Sequence, residues 1–269
     1  MANNTCIIKL NGGIFGLRGT WLGGIPLFNT YSYILCSEKN GEILLIDTGS
    51  PGNGDAIKGA VESIGRSVSD ITGVALTQWH RDHTGGLAGI VSMAGTPEKP
   101  VKVFIHKYDS PFLLSQRRSF VTFQPELKLK LPHKPGELPG SGLFQLTELD
   151  HESGINPLNQ WGVEFIHTPG HTPGHTSYLH RESMSLFAGS GLSLLDRSTA
   201  GLVAIFSDRE KQVESARMLA DMEFNWLCPA HLHLRTDMIN RERRIPFSGR
   251  VPLRERITGS LPLFSYPEN

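Results

Sequence analysis

The chain has 269 residues, 26 Lys and Arg against 26 Asp and Glu, and therefore a formal charge of zero. That length holds one large domain or two small ones, with ample core. The balanced charge argues against a protein that grips nucleic acid, because the tightest basic cluster, Arg241, Arg243 and Arg244, is interrupted by Glu242.

Apolar runs of strand length recur along the chain, each bounded by turn residues. Tyr31 to Cys36 and Ile43 to Ile46 are the first two, and Asp47-Thr48-Gly49 follows the second directly. Asp55 to Ile64 then sets Ile57, Ala60, Val61 and Ile64 on one stripe of a helix. Val74 to Thr77 reads as the next strand, followed by Gln78-Trp79-His80-Arg81-Asp82-His83-Thr84-Gly85-Gly86. Gly86 to Met93 reads as a short helix, and Val101 to Ile105 as a strand. Ser110 to Pro157 breaks the rhythm with six prolines and few apolar runs, so it is read as an insertion or long loop flanking a site. Strand Val163 to Ile166 runs into Thr168-Pro169-Gly170-His171-Thr172-Pro173-Gly174-His175, and strand Ser185 to Ala188 ends at Gly189-Ser190. The clearest helix is Ser207 to Met222. Ser207 and Glu210 have the spacing of a capping box, and Val213, Ala216, Leu219 and Met222 form an apolar face. Trp226-Leu227 leads to Cys228-Pro229-Ala230-His231. The expectation is a single domain over 1–244, with a four-proline extension over 245–269 packing on the domain or on a partner.

Strands mixed with helices throughout imply a layered α/β fold. In α/β sheets the carboxyl ends of strands open into one crevice, so the four polar clusters that follow strands can converge there. A lone histidine is usually an ordinary polar residue. Four such clusters at strand ends carry more weight, because imidazole and carboxylate are ligands that zinc prefers.

The order Leu45-Ile46-Asp47-Thr48-Gly49, His80-x-Asp82-His83-x-Gly85-Gly86, Thr168 to His175, and Pro229-Ala230-His231 resembles the metallo-β-lactamase-fold hydrolases over about three-quarters of the chain. The resemblance implies an αββα sandwich with a metal site at one edge. It also implies a first site using His80 and His171, and a second using Asp82, His83 and His231. Gln78 stands where the first histidine of the motif is expected, and Ser190 where many relatives carry an aspartate that bridges two metals. The amide oxygen of Gln78 is a neutral and weaker ligand than imidazole, and Ser190 removes a negative charge from between two dications. One dominant zinc at Asp82, His83 and His231 is therefore expected, with a second, weaker or absent, beside His80 and His171. Serine at the bridging position is similar to the third subclass of true metallo-β-lactamases, a few of which also carry glutamine at the first position. Persulfide dioxygenases need two ligands that this chain lacks, and RNA- or DNA-processing relatives need a second domain and a basic surface.

The implied chemistry is a zinc-bound water with its pKa lowered to about 7, attacking a carbonyl. Asp82 would bind metal and orient the water. Asp47 would fix a ligand imidazole from the outer shell, form a turn after its strand, or do both. His175 is read as supporting or structural. His106, His133, His151, His167 and His180 are read as ordinary, and His233 is set aside. Trp79 and Arg81 are read as packing or exposed rather than lining the mouth. Pocket walls are expected near Gly12 to Phe28 and Ser110 to Pro157, while Phe112, Leu113 and Leu114 serve either the core or an interface between copies.

The function expected first is a zinc-dependent hydrolase of a small ester, thioester, lactone or lactam. The alternative is a non-hydrolytic metal-dependent lyase, isomerase or cyclase of a biosynthetic pathway. A non-catalytic binding protein comes third, since a chain without catalysis has no physical need to keep five ligands. Three cysteines with no close pair point to a reducing compartment. The start, Met1 to Lys9, lacks a basic region before a long apolar run, and no stretch reaches the ~20 apolar residues that span a bilayer. A cytoplasmic protein acting on a small molecule is expected, without membrane or nucleic-acid partners.

Overall fold

The computed structural model describes residues 7–10, 13–20, 29–115, 119–123, 129–133, 135–194, 200–201 and 206–231. The extension at 245–269, His233 and most of the stretch 12–28 lie outside the described residues.

The apolar runs assemble into two main sheets. The larger begins with β1 (Ile7–Lys9), β2 (Ile14–Thr20), β3 (Asn29–Cys36) and β4 (Ile43–Ile46), each antiparallel to the one before it. It continues in parallel through β5 (Ile71–Ala75) and β6 (Val101–His106). A hairpin of β7 (Ser119–Phe123) and β8 (Leu129–His133) intervenes and pairs with itself. β9 (Phe144–Leu149) then completes the seven strands beside β6. The smaller sheet has β10 (Val163–His167), β11 (Thr176–His180) and β12 (Ser185–Gly189). A short hairpin of β13 (Ser193–Leu194) and β14 (Ala200–Gly201) follows, and β15 (Trp226–Pro229) closes the sheet parallel to β12.

Among the described residues five α-helices lie between the strands: α1 (Asn53–Ser63), α2 (Arg81–Thr84), α3 (Leu87–Ala94), α4 (Ser110–Leu113) and α5 (Arg209–Ala220). Three separate apolar cores define four layers. The middle core joins Tyr33, Leu44, Ile46 and Phe104 of the larger sheet to Val163, Tyr178, Phe187 and Cys228 of the smaller. One outer core packs Ile43, Leu45, Val74 and Val103 against Ile57, Val61, Leu87 and Ile90 of α1 and α3. The other packs Leu179, Leu186 and Leu227 under Ala216 and Leu219 of α5. The chain is thus an αββα sandwich. Ile43 and Leu45 face one core while Leu44 and Ile46 face the next, which is why β4 is apolar at every position. Each such side chain, cut to alanine, costs about 2–5 kcal/mol.

Three elements differ from their sequence reading. The strand expected at Val74 to Thr77 ends at Ala75, because the Thr77 amide donates to the Asp47 carboxylate instead of a neighbouring strand. The helix expected from Ser207 has Asp208 as its cap, accepting from the Lys211 amide at 3.1 Å. Ser207 Oγ instead donates to the Gly170 carbonyl, so no Ser207–Glu210 box forms. Within Ser110 to Pro157, β9 is an integral edge strand, half-buried along its length, so its polar Gln145, Thr147 and Glu148 conceal it as a run.

Candidate metal centre

The four polar clusters meet at one edge of the sandwich. Asp47 follows β4 in the left-handed backbone region, with φ of 58°. Its carboxylate accepts from the Thr77 amide at 2.8 Å, from Thr77 Oγ1 at 2.7 Å and from His83 Nδ1 at 2.7 Å. The third bond fixes the His83 tautomer: the proton sits on Nδ1 and the lone pair on Nε2 faces the site. Burial opposes the charged form of His83, but the Asp47 and Asp82 carboxylates outweigh it and raise its pKa.

The loop after β4 and the turn at α2 are held together by backbone bonds, Thr48 N–H to His83 O at 2.7 Å and Gly85 N–H to Gly49 O at 2.8 Å. A Cβ on Gly85 would lie 2.2 Å from the Pro51 nitrogen, so only glycine allows this approach. His231, just past β15, is set by three bonds on the residues before it. Tyr31 N–H reaches the Ala230 carbonyl at 2.8 Å, Ala230 N–H reaches Gly189 O at 2.8 Å, and the Tyr33 hydroxyl reaches Pro229 O at 2.7 Å.

The ligand atoms fall into two groups. Asp82 Oδ2 lies 3.7 Å from His83 Nε2 and 3.7 Å from His231 Nε2, and the three ligand atoms all lie within 4.8 Å of one another. In the second group His80 Nδ1 faces His171 Nε2 at 3.2 Å. Donor atoms on a tetrahedral zinc sit about 3.3 Å apart, from bonds of ~2.0–2.1 Å. The His80–His171 spacing is near that value, and the two Asp82 spacings are a few tenths of an ångström wider. The chemistry of the two groups is imidazole and carboxylate. The residues fit a zinc-type ion.

Gln78 and Ser190 do not stand apart. Gln78 Nε2 donates to Ser190 Oγ at 3.0 Å, while the buried Gln78 Oε1 has no hydrogen-bond partner. Ser190 Oγ also lies 3.4 Å from His83 Nε2, so it links Gln78 to the first group. His175 spends both ring nitrogens within the protein. Nδ1 contacts Thr168 Oγ1 at 2.8 Å and the Thr168 carbonyl at 3.1 Å, and Nε2 accepts from the Ser190 amide at 3.0 Å. Burial above all holds its pKa well below the ordinary value, so it is a neutral brace for Ser190. Trp79 is buried and stacks on Phe112 with centroids 5.3 Å apart, whereas Arg81 is exposed.

One acid that sequence reasoning passed over is Asp109, buried three residues beyond β6. It accepts from Thr172 Oγ1 at 2.6 Å, from the Gly174 amide at 2.7 Å and from the Trp79 amide. It thereby ties the loop bearing His80 to the loop bearing His171. Burial pushes its pKa up to about 7 against those three bonds. A Cβ on Gly174 would lie 2.6 Å from the Asp109 nitrogen, which explains a glycine there. The available signal was an acid just past an apolar strand, the same placement as Asp47. His106, His151 and His167, read as ordinary, are also drawn together at the ends of β6, β9 and β10. His180 bonds Ser183 Oγ at 2.7 Å and takes no part in either group.

A profile of the metallo-beta-lactamase superfamily matches residues 25–231. The chain belongs to the metallo-beta-lactamase superfamily. Among superfamily members, the Beta-lactamase-like protein 2 homolog of Drosophila melanogaster is 26% identical over 232 residues, 86% of this chain and 68% of that protein. The uncharacterized protein YobT of Bacillus subtilis is 27% identical over 219 residues, 76% of this chain and 84% of that protein. Among solved structures, BJP-1, a subclass B3 metallo-beta-lactamase of Bradyrhizobium japonicum, aligns with a TM-score of 0.59 at 19% identity, covering 94% of this chain and 88% of that one. The likeness shows the superfamily sandwich. Among the described residues no helix is long and apolar enough to cross a membrane.

Proposed function

We propose that this protein is a zinc-dependent hydrolase of a small ester, thioester, lactone or lactam. The observation that carries the reading is the convergence of Asp82, His83 and His231, with His83 oriented by the buried Asp47. A bound zinc supplies an activated water near neutral pH and polarises a carbonyl. His83 Nε2, His231 Nε2 and Asp82 Oδ2 would hold the dominant ion, and His80 Nδ1 with His171 Nε2 a weaker one. Asp82 is the catalytic residue. Its side chain is 24% exposed, so the carboxylate that would hold the ion can also be reached by, and orient, the incoming water. Ser190 and Gln78 add a buried hydroxyl and amide beside the ion-holding His83, with no formal charge. The zero net charge supports a small neutral or weakly charged substrate rather than nucleic acid. A cytoplasmic setting belongs to the same reading and rests on the sparse cysteines.

The Gln78–Ser190 bond favours a second reading, a metal-dependent lyase, isomerase or cyclase, because it weakens the half of the centre beside His80. A panel of chromogenic esters, thioesters, lactones and lactams, assayed with zinc, tests the first reading. Turnover that disappears in Asp82→Ala supports hydrolysis. Tight zinc binding with no turnover of any class overturns it in favour of the second.

A further inference from the structure

Three histidines outside the centre lie together on the same rim of the sandwich. His106 ends β6, His167 ends β10, and His151 follows β9 by two residues. His106 Nε2 lies 3.0 Å from His151 Nδ1. The His167 ring is centred 4.1 Å from that of His106 and 4.2 Å from that of His151. One ligand nitrogen from each residue lies within 4.8 Å of the other two.

We propose that His106, His151 and His167 form a second metal site, distinct from the superfamily centre, for a first-row divalent ion that favours imidazole, zinc foremost. The 3.0 Å between His106 Nε2 and His151 Nδ1 is close to the about 3.3 Å that two nitrogens take on tetrahedral zinc. His167 donates Nε2–H to the Pro173 carbonyl at 3.0 Å, leaving Nδ1 with the lone pair. A backbone carbonyl on the second ring nitrogen is the outer-shell arrangement typical of a ligand histidine. His151 is exposed, so water can complete the coordination.

Electrostatics agree with the geometry. Burial first, then the neighbouring imidazoles, pushes the His106 pKa down to about 3, and burial lowers that of His167. Both rings are therefore neutral and ready to coordinate without losing a proton. The nearby Lys107 is paired with Asp150 at 2.7 Å and with Glu152, so one positive charge meets two negative ones and the local sum is 1 − 2 = −1. Loading has two local costs. His106 binding through Nε2 moves its ring proton to Nδ1, giving up the Nε2–H hydrogen bond to His151 Nδ1 and a long 3.3 Å contact with the Tyr108 amide. The His106 and His167 rings are within 4° of parallel, so one must turn for the lone pairs to converge, and His167 is the less buried. In return the ion ties β6 and β9 of the larger sheet to β10 of the smaller, immediately before the loop that carries His171.

The test is zinc titration of the full-length, chelator-stripped protein against a chromophoric competitor, with the cobalt(II) visible spectrum as a second readout. Asp82→Ala/His231→Ala serves as the background in which the superfamily centre is disabled. We expect one equivalent of zinc bound at micromolar or tighter concentration in that background, and its loss on adding His151→Ala, an exposed position that leaves the fold intact by circular dichroism. His167→Gln should remove the same equivalent. Unchanged stoichiometry in both variants, or binding only at millimolar zinc, overturns the proposal.

Discussion

Gln78 Nε2 donates to Ser190 Oγ at 3.0 Å, joining residues 112 positions apart in the chain. At both positions the resemblance to the superfamily leads one to expect a metal ligand, and here the two residues bond to each other. The pair fills, with a neutral hydrogen bond, a place otherwise expected to hold an imidazole and a carboxylate around metal. The His80–His171 side is left with two imidazoles, while the Asp82–His83–His231 side keeps its full set.

Gln78→His should therefore strengthen zinc binding beside His80 and His171 by at least about tenfold, or 1.4 kcal/mol. Gln78→Ala is the control and should give no gain. Competitive zinc titration checks both, and an unchanged affinity in Gln78→His would show that the glutamine is not what limits that side.

Asp47 holds His83 by a single carboxylate oxygen and Thr77 by both. Asn tolerates the left-handed backbone at this position, so Asp47→Asn isolates the loss of charge. It should weaken zinc at the Asp82 side by roughly 10–100-fold. Asp47→Ala also strands buried donors on Thr77 and His83, at about 1–3 kcal/mol each. Urea unfolding should place Asp47→Ala well below Asp47→Asn in stability, and equal midpoints would refute this reading of the network.

Much of this was legible in the chain because apolar runs and the polar clusters behind them are local signals. β4 is apolar at every position since both of its faces are covered, and Asp47, His80, His83, His171 and His231 each follow a strand closely. What escaped notice depends on pairing across the fold. Asp109 is one acid among 26 acidic residues until Thr172, Gly174 and the Trp79 amide are placed around it. His106, His151 and His167 have no motif spacing, and parallel pairing of β6 with β9 is what unites the first two. β9 was hidden by its edge position, where Gln145, Thr147 and Glu148 interrupt the apolar run.

In metal-free protein, Asp109 titrates near 7 rather than 3.8, because burial disfavours its charge. A carboxyl whose folded pKa is raised contributes stability that is full below the unfolded value and lost as pH rises through the folded one. The unfolding free energy of the wild type, relative to Asp109→Asn, should thus fall between about pH 4 and 7 and level off above it. Urea unfolding of chelated samples across that range checks the sign. Parallel profiles would contradict it.

Stripping metal should lower the thermal midpoint, since an ion held by Asp82, His83 and His231 would bind their folded arrangement and not the unfolded chain. Zinc at about a thousandfold excess over its Kd adds about 4 kcal/mol. In a His151→Ala background, which removes the separate His106–His151–His167 group, adding Asp82→Ala/His231→Ala should abolish most of that response in a thermal melt with and without chelator. A full response in that triple variant would place the stabilising ion elsewhere.

An anomalous-difference map at the zinc edge from zinc-loaded crystals distinguishes an unequal metal centre from an even one. The strongest peak in the centre should lie among Asp82, His83 and His231, with a weaker peak or none between His80 and His171. Two peaks of equal, full occupancy, with Gln78 and Ser190 still bonded to each other, would contradict it.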